Sequence, residues 1–403
     1  MELFWLEHKK LWRKKIVKIC VLLCFVYCVI FGSILSFQWF CFGSSDDYTS
    51  AFGNNFDGYT VIKDSQEYAL SFGGELTDET LQKIVSDYQQ MEADGMEEEL
   101  EKTDWQIVNS WLGTLYPELR DTSNYKTMIS YVDPDKLTGF YERRQQVLDE
   151  FLEVSGQVGA EKEFLHQIER KVEKPFRYEW VEGWSTLLGS MVADLGVVMA
   201  LFLGIVLSSL FAGEWHDNTS TLVLTTRNGW GKIALAKILT GLAFTVELFA
   251  LLAVSSVISQ LFFMGTAGWD MPIQNIKLIA VAPMNMLQAE IYEYAFVLLG
   301  AIGFAGIVMF ISAAVKNNVL TLLLSLAVVY GPMMIAEYLP YEMQKALDLI
   351  PLVGSSTDIF RTNTFRIFGK LIWSPYLLIT IPVLIGILCM PFAIKSWSRR
   401  MKA

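Results

Sequence analysis

The apolar positions of this chain fall into six long runs: 19–42, 187–211, 233–264, 294–315, 319–339 and 376–394. A helix needs about 20 mostly apolar residues to cross about 30 Å of hydrocarbon, so each run predicts one membrane span. The third is too long for a straight crossing and predicts tilt or an extension beyond the bilayer. Residues 43–186 have a different texture and predict a mainly helical domain. A short hairpin is expected first, over 59–62 and 68–72. Thr77 then reads as the cap of a helix whose first turn carries Asp78 and Glu79, favourable against the helix dipole. Asp133-Pro134 is a second start signal, followed by Phe140, Val147, Leu148, Phe151 and Val154 at helical spacing. A third helix is expected over 159–174, stopped by Pro175. The fold class that follows is an all-α polytopic membrane protein: six transmembrane helices with a mainly helical extracellular domain between the first two.

Orientation comes from Lys and Arg near the span ends. Lys9, Lys10, Arg13, Lys14, Lys15 and Lys18 precede the first span and place segment 1–18 in the cytoplasm. Lys395, Arg399, Arg400 and Lys402 in the tail 395–403 return the chain to the same side after six crossings. Segments 212–232, 265–293 and 340–375 then become a cytoplasmic loop, an extracellular loop and a set of extracellular short helices. Lys345, Arg361, Arg366 and Lys370 of the last segment stand against the rule, and the amino-terminal cluster outweighs them. Phe37, Trp39 and Phe40 end the first span as an aromatic belt, and no small-residue cleavage site follows, so the span is not read as a removed leader. Before it, Glu2–Arg13 reads either as an amphipathic helix laying Leu3, Phe4, Leu6 and Leu11 on membrane lipid or as an ordinary charged flank.

Charge sharpens the division. Only 19% of residues are charged, and residues 44–183 hold 30 acids against 13 bases. This local net of −17 contrasts with +6 for the remainder. A soluble enzyme, a nucleic-acid binder and a disordered chain all fit badly. The acidic domain either attracts cationic substrates or simply keeps an exposed surface soluble. All five cysteines lie in spans, and Cys20, Cys24 and Cys28 share one helical face, where packing is a better account than metal binding.

The chemistry that is missing narrows the function. None of the three histidines lies in a span, which excludes a histidine-ligated intramembrane protease. There is no Gly-x-Ser-x-Gly elbow and no phosphate-binding loop. The nearest fragment, Gly229-Trp230-Gly231-Lys232, lacks the first glycine and has Ile233 where a hydroxyl would hold magnesium. No cofactor, metal or catalytic residue is therefore expected on this chain. Charges inside spans remain, because each costs roughly 2.5–3.5 kcal/mol to insert. Glu247 in the third span and Asp194 in the second could line a polar path, or could hold helices together by hydrogen bonds. In the fourth span Gly300, Gly303 and Gly306, with Ala301 and Ala305, allow close helix approach. Gly331-Pro332 predicts a kink in the fifth.

The segment 213–237, GEWHDNTSTLVLTTRNGWGKIALAK, is the most specific stretch of the chain. Asp217 or Asn218 can cap a short helix that presents Thr219, Leu222 and Val223 on one side, a shape suited to a groove on a partner. Glu214, Thr219-Ser220, Leu222, Leu224, Thr225-Thr226-Arg227 and Lys237 together resemble the loop that meets the ATPase subunit in ABC exporter permeases of the second type. That family has Gly-Thr where this chain has Thr219-Ser220. The large insert resembles a bacterial branch with sodium-, drug- and peptide-export permeases. Within it, Leu76-Thr77-Asp78-Glu79, Phe140-Tyr141-Glu142-Arg143-Arg144 and Pro175-Phe176-Arg177-Tyr178 look like members from gut-dwelling Gram-positive bacteria.

The resemblance implies a multi-pass protein of a bacterial plasma membrane with both termini inside. It implies a pathway built with a second permease copy or a related permease, and two separate ATPase subunits that carry ATP and magnesium. Glu214, Asn218, Thr219, Leu222, Leu224 and Arg227 would then couple those subunits to the spans. The rival is a membrane sensor whose acidic domain binds a ligand and whose loop recruits a signalling partner. An ion-driven secondary transporter predicts internal repeats, and none is visible.

Overall fold

The structure, a computed structural model, describes residues 2–30, 66, 73–96, 106–121, 126–216, 231–354 and 362–399. Two helices open the chain, α1 (Glu2–Arg13) and α2 (Lys15–Val29), joined through the single extended residue Lys14. Val17, Cys20, Cys24 and Cys28 form a buried stripe on α2, inside the main apolar cluster. The run expected as the first span, 19–42, lies within the described residues only as far as Ile30.

The acidic segment follows as β1 (Gly74–Glu75), α3 (Asp78–Ala93), α4 (Gln106–Leu115), α5 (Phe140–Val154), α6 (Ala160–Glu169), β2 (Arg177–Tyr178) and α7 (Glu182–Thr186). The hairpin expected over 59–62 and 68–72 lies outside the described residues. Thr77 caps α3, its hydroxyl accepting from the Thr80 amide at 3.2 Å. Asp78 does more than balance its own helix dipole. Its two carboxylate oxygens accept from the backbone amides of Gly139 and Phe140, at 2.7 and 2.8 Å, and so cap α5 from across the domain. Asp133-Pro134 starts only a 3-10 turn, Pro134–Lys136, and α5 begins at Phe140 instead. The helix expected to reach residue 174 ends at Glu169.

Leu81, Ile84 and Val85 of α3, spaced for one helical face, bury against Trp111, Leu112 and Leu115 of α4 and Phe140 of α5. β1 pairs antiparallel with β2, closing the domain's two ends on each other. The domain sits on the connection that spans 265–285. The Trp111 indole donates to the Asn275 carbonyl at 3.1 Å, and the Asn275 amide donates to the Arg177 carbonyl at 2.9 Å. A third apolar cluster runs through this junction, joining Leu148, Leu152 and Leu165 to Met271, Ile273 and Ile279.

Beyond a π turn at Leu187–Met191 come α8 (Val192–His216), α9 (Lys232–Met264), α10 (Met286–Ala314) and α11 (Asn318–Ile335). The short α12 (Tyr341–Leu347), the strands β3 (Thr364–Ile367) and β4 (Lys370–Trp373), and α13 (Ser374–Arg399) complete the order. Among the described residues, α8, α9, α10, α11 (with its 3-10 extension) and α13 are long and apolar enough to cross a membrane. The chain is thus a mostly helical, polytopic membrane protein. α8 and α10 are the most buried of the five and form its centre.

Two boundaries differ from expectation. The helix of the fourth apolar run starts at Met286 rather than at 294, because Asn285 and Gln288 form a reciprocal capping box there. The region 340–375, expected as short helices, holds α12 and an antiparallel hairpin, β3–β4. Its strands are rich in Thr, Ile, Phe and Trp, and its turn, Phe368-Gly369, has positive φ at both residues, as a tight hairpin requires. The fourth-run glycines do allow close approach. A methyl group at Gly303 would collide with the Pro382 carbonyl of α13, and one at Gly306 with that of Gly386. α11 runs through Pro332 to Ile335 and tightens into a 3-10 turn over Ala336–Tyr338.

Candidate functional site

The loop singled out by the sequence is flanked by the end of α8 and the start of α9. Its residues Asn218, Thr219, Leu222, Leu224 and Arg227 lie outside the described residues. Glu214 and Lys237, one on each flank, are described, and the structure brings them together. Lys237 Nζ lies 2.8 Å from Glu214 Oε1, with both side chains almost fully enclosed. Burying a charge is costly unless it is paired and hydrogen-bonded. Here the remaining valences go to the amino-terminal helix. Glu7 Oε2 accepts from Lys237 at 2.9 Å, and Lys10 donates to Glu214 Oε1 at 2.6 Å. Lys14 adds a hydrogen bond to the Ser209 hydroxyl at 2.9 Å. Two acids and two bases from three helices therefore alternate in one network at the root of the loop.

Helix geometry explains how α1 reaches it. Glu7, Lys10, Leu11 and Lys14 recur at three- and four-residue spacing and share a face, with Leu11 fully buried at its centre. Leu6 and Trp5 stay exposed on the other side. Glu2–Arg13 forms one continuous helix. Leu11, however, turns to the protein core and not to a lipid leaflet.

Glu247 also meets α1. His8 Nε2 lies 3.1 Å from one carboxylate oxygen, and the Trp12 indole donates to the other at 3.0 Å. Trp12 packs edge-on against Phe244 one turn away. The hydropathy pattern alone places Glu247 well inside a span. From Leu248 to the end of α9 is about 26 Å at 1.5 Å per residue, close to a hydrocarbon thickness by itself. Glu247 and the excess length of α9 thus lie on the side of that segment where α1 packs. Asp194 stands in the first turn of α8, where its side chain lies outside the described ones.

Replacing Glu247 by Leu is expected to loosen α1 without unfolding the bundle. Losing the Trp12 hydrogen bond and the His8 contact to this carboxylate is worth about 1.5–3 kcal/mol. Tryptic cleavage after Arg13 should therefore run roughly tenfold faster or more. Cleavage at the wild-type rate would mean that these bonds do not hold the helix.

The sequence pattern did not reveal Glu7, Lys10, His8 and Trp12 as partners. The available signal was opposite charges on the same amphipathic helix as a core-type leucine. Nor did it reveal Glu290 and Glu293, which fall in a stretch expected as loop until the Asn285–Gln288 capping pair is recognised. Both glutamates are buried within α10. Among the described residues, no group of three or more His, Cys, Asp or Glu is placed to hold a metal. What fold and site define together is a helical membrane protein with its amino terminus latched to the root of an interhelical loop. No family model, curated protein or solved structure matches the chain.

Proposed function

We propose that the chain is the permease subunit of an ATP-driven exporter in a bacterial plasma membrane. It would have six spans, both termini in the cytoplasm and the acidic domain outside the cell. Two such chains, or this chain and a related one, would enclose the pathway. Two separate ATPase subunits would dock on loop 212–232, and ATP and magnesium would bind there and not on this chain. The observation that carries the reading is the Glu214–Lys237 pair with Glu7 and Lys10. It braces α8, α9 and α1 at the one loop whose residues resemble an ATPase-docking segment. A push on that loop would be passed to two long helices instead of being absorbed at their ends.

Leu222 and Arg227 would seat the loop in the ATPase, the first by apolar contact and the second by charge. Leu222→Asp is expected to abolish stimulation of the ATPase and export, while the chain still folds and inserts. The decisive experiment is purification of the tagged chain in mild detergent from its host, with mass spectrometry and an ATPase assay. A stoichiometric partner with a phosphate-binding loop, and activity lost in Leu222→Asp, supports the exporter. Recovery of the chain alone, or with a kinase, overturns it.

A further inference from the structure

Glu290 and Glu293 stand about one and two turns into α10, at the end of the bundle that carries the acidic domain. Glu290 is 3% exposed and Glu293 0%. None of their four carboxylate oxygens has a well-formed hydrogen bond, the Tyr294 hydroxyl alone standing near Glu290, and among the described residues no cationic side chain pairs with either. Three residues apart on one helix, they face the same way.

A third polar group completes the arrangement from the neighbouring helix. Leu248, Leu252, Ser256, Gln260 and Met264 form a buried stripe at four-residue spacing along α9. The Ser256 hydroxyl lies 2.8 Å from the Tyr294 hydroxyl of α10, which fixes the level at which the two helices meet. α9 and α10 run in opposite directions. One turn outward from that bond, Gln260 on α9 therefore comes level with Glu290 on α10. Gln260 is 1% exposed, and neither its amide oxygen nor its nitrogen has a partner.

Unpaired buried carboxylates and an unpaired buried amide are each costly, and together they are rare. A protonated carboxyl could donate to the Gln260 carbonyl, whereas a cation would take both carboxylates in their charged form together with that carbonyl. We propose that Gln260, Glu290 and Glu293 form a site inside the helical bundle for a hard divalent metal cation, of the calcium type. The donor set is entirely oxygen: two carboxylates and an amide carbonyl. Hard cations take such donors. Two carboxylates match a double positive charge. Carboxylates that bind through both oxygens approach the six to eight contacts calcium accepts, whereas magnesium demands a stricter octahedron. The inference needs no ATPase and stands apart from the proposed transport role.

The test uses the full chain in detergent, stripped with chelator, with Ca²⁺ added at constant ionic strength set by Na⁺. Ca²⁺ is expected to raise the melting temperature of the wild type. Glu293→Gln should lose that response. Gln260→Leu, which keeps both carboxylates and fills the space with an apolar side chain, should need at least tenfold more Ca²⁺ for it. Because the acidic domain also attracts Ca²⁺, the comparison among variants decides. An equal response in all three chains, or none in the wild type, overturns the site. Should Glu293→Gln fail to fold, the Ca²⁺ requirement of Gln260→Leu against the wild type decides alone.

Discussion

Lys237→Met is expected to lower the stability of the chain by about 3 kcal/mol, measured as loss of the folded fraction on heating in detergent. Removing one partner of a buried ion pair leaves the other charge uncompensated, and such losses run to about 3–5 kcal/mol. Glu214 would be that stranded charge, 4% exposed and enclosed at the end of α8. Lys10 softens the effect, since it also reaches Glu214 and is itself half exposed. This places the expected value at the lower end. The double replacement, Lys237→Met with Glu214→Leu, should recover most of the loss, because apolar substitutes for a buried pair are often neutral. If the double variant is as unstable as the single, the loss does not come from a stranded Glu214 charge.

Arg144→Met is expected to cost about 3 kcal/mol, because Glu169 keeps only Lys174 and the buried Leu278 carbonyl loses its donor. Arg144 is fully buried in the acidic domain and uses three of its donors. It gives hydrogen bonds to Glu169 Oε1 at 2.6 Å, to the Leu278 carbonyl at 2.7 Å and to the Ala280 carbonyl at 3.2 Å. One side chain thus ties α5 to α6 and to the connection between α9 and α10. Its loss should unseat the domain from the bundle, read as proteolysis between residues 265 and 285.

Glu169 supplies an independent check through pH. Burial alone would raise its carboxyl, but the hydrogen bonds and charges of Lys174 and Arg144 outweigh that and hold it below the ordinary carboxylate value. Its contribution to stability is therefore complete above about pH 4.3, the unfolded value, and is lost as pH falls through the lower folded value. The acid-side loss of stability should be shallower in Glu169→Gln, already weakened at neutral pH, than in the wild type. Equal slopes would mean that Glu169 titrates alike in the folded and unfolded chain.

Most of the helical skeleton was legible because apolar runs of membrane length are hard to mistake. Five of the six expected runs correspond to helices here, and the first lies largely outside the described residues. Local signals worked where the chemistry is local: Thr77 caps the helix it precedes. They failed where the partner is distant in sequence. Asp78 looks like a first-turn acid and acts as a cap 61 residues away. Asp133-Pro134 carries a start signal, yet Gly139 with its positive φ and the remote Asp78 set where α5 begins. The site was half legible for the same reason. Glu214 and Lys237 stood out in the loop motif, but their partners on α1 are more than 200 residues away, and no periodicity encodes such a pairing.

The contact between α10 and α13 carries a mechanical consequence. At Gly303, Gly306 and Gly386 the two backbones touch with no layer of side chains between them. Helices that meet through long side chains can slide by exchanging rotamers. Helices that meet backbone to backbone can only separate, giving up close-packed contact along the whole seam. α10 and α13 therefore move as a single strut. Any shift driven from the loop at the root of α8 and α9 must be taken up at the joints around that strut, where ion pairs and flexible side chains can re-form.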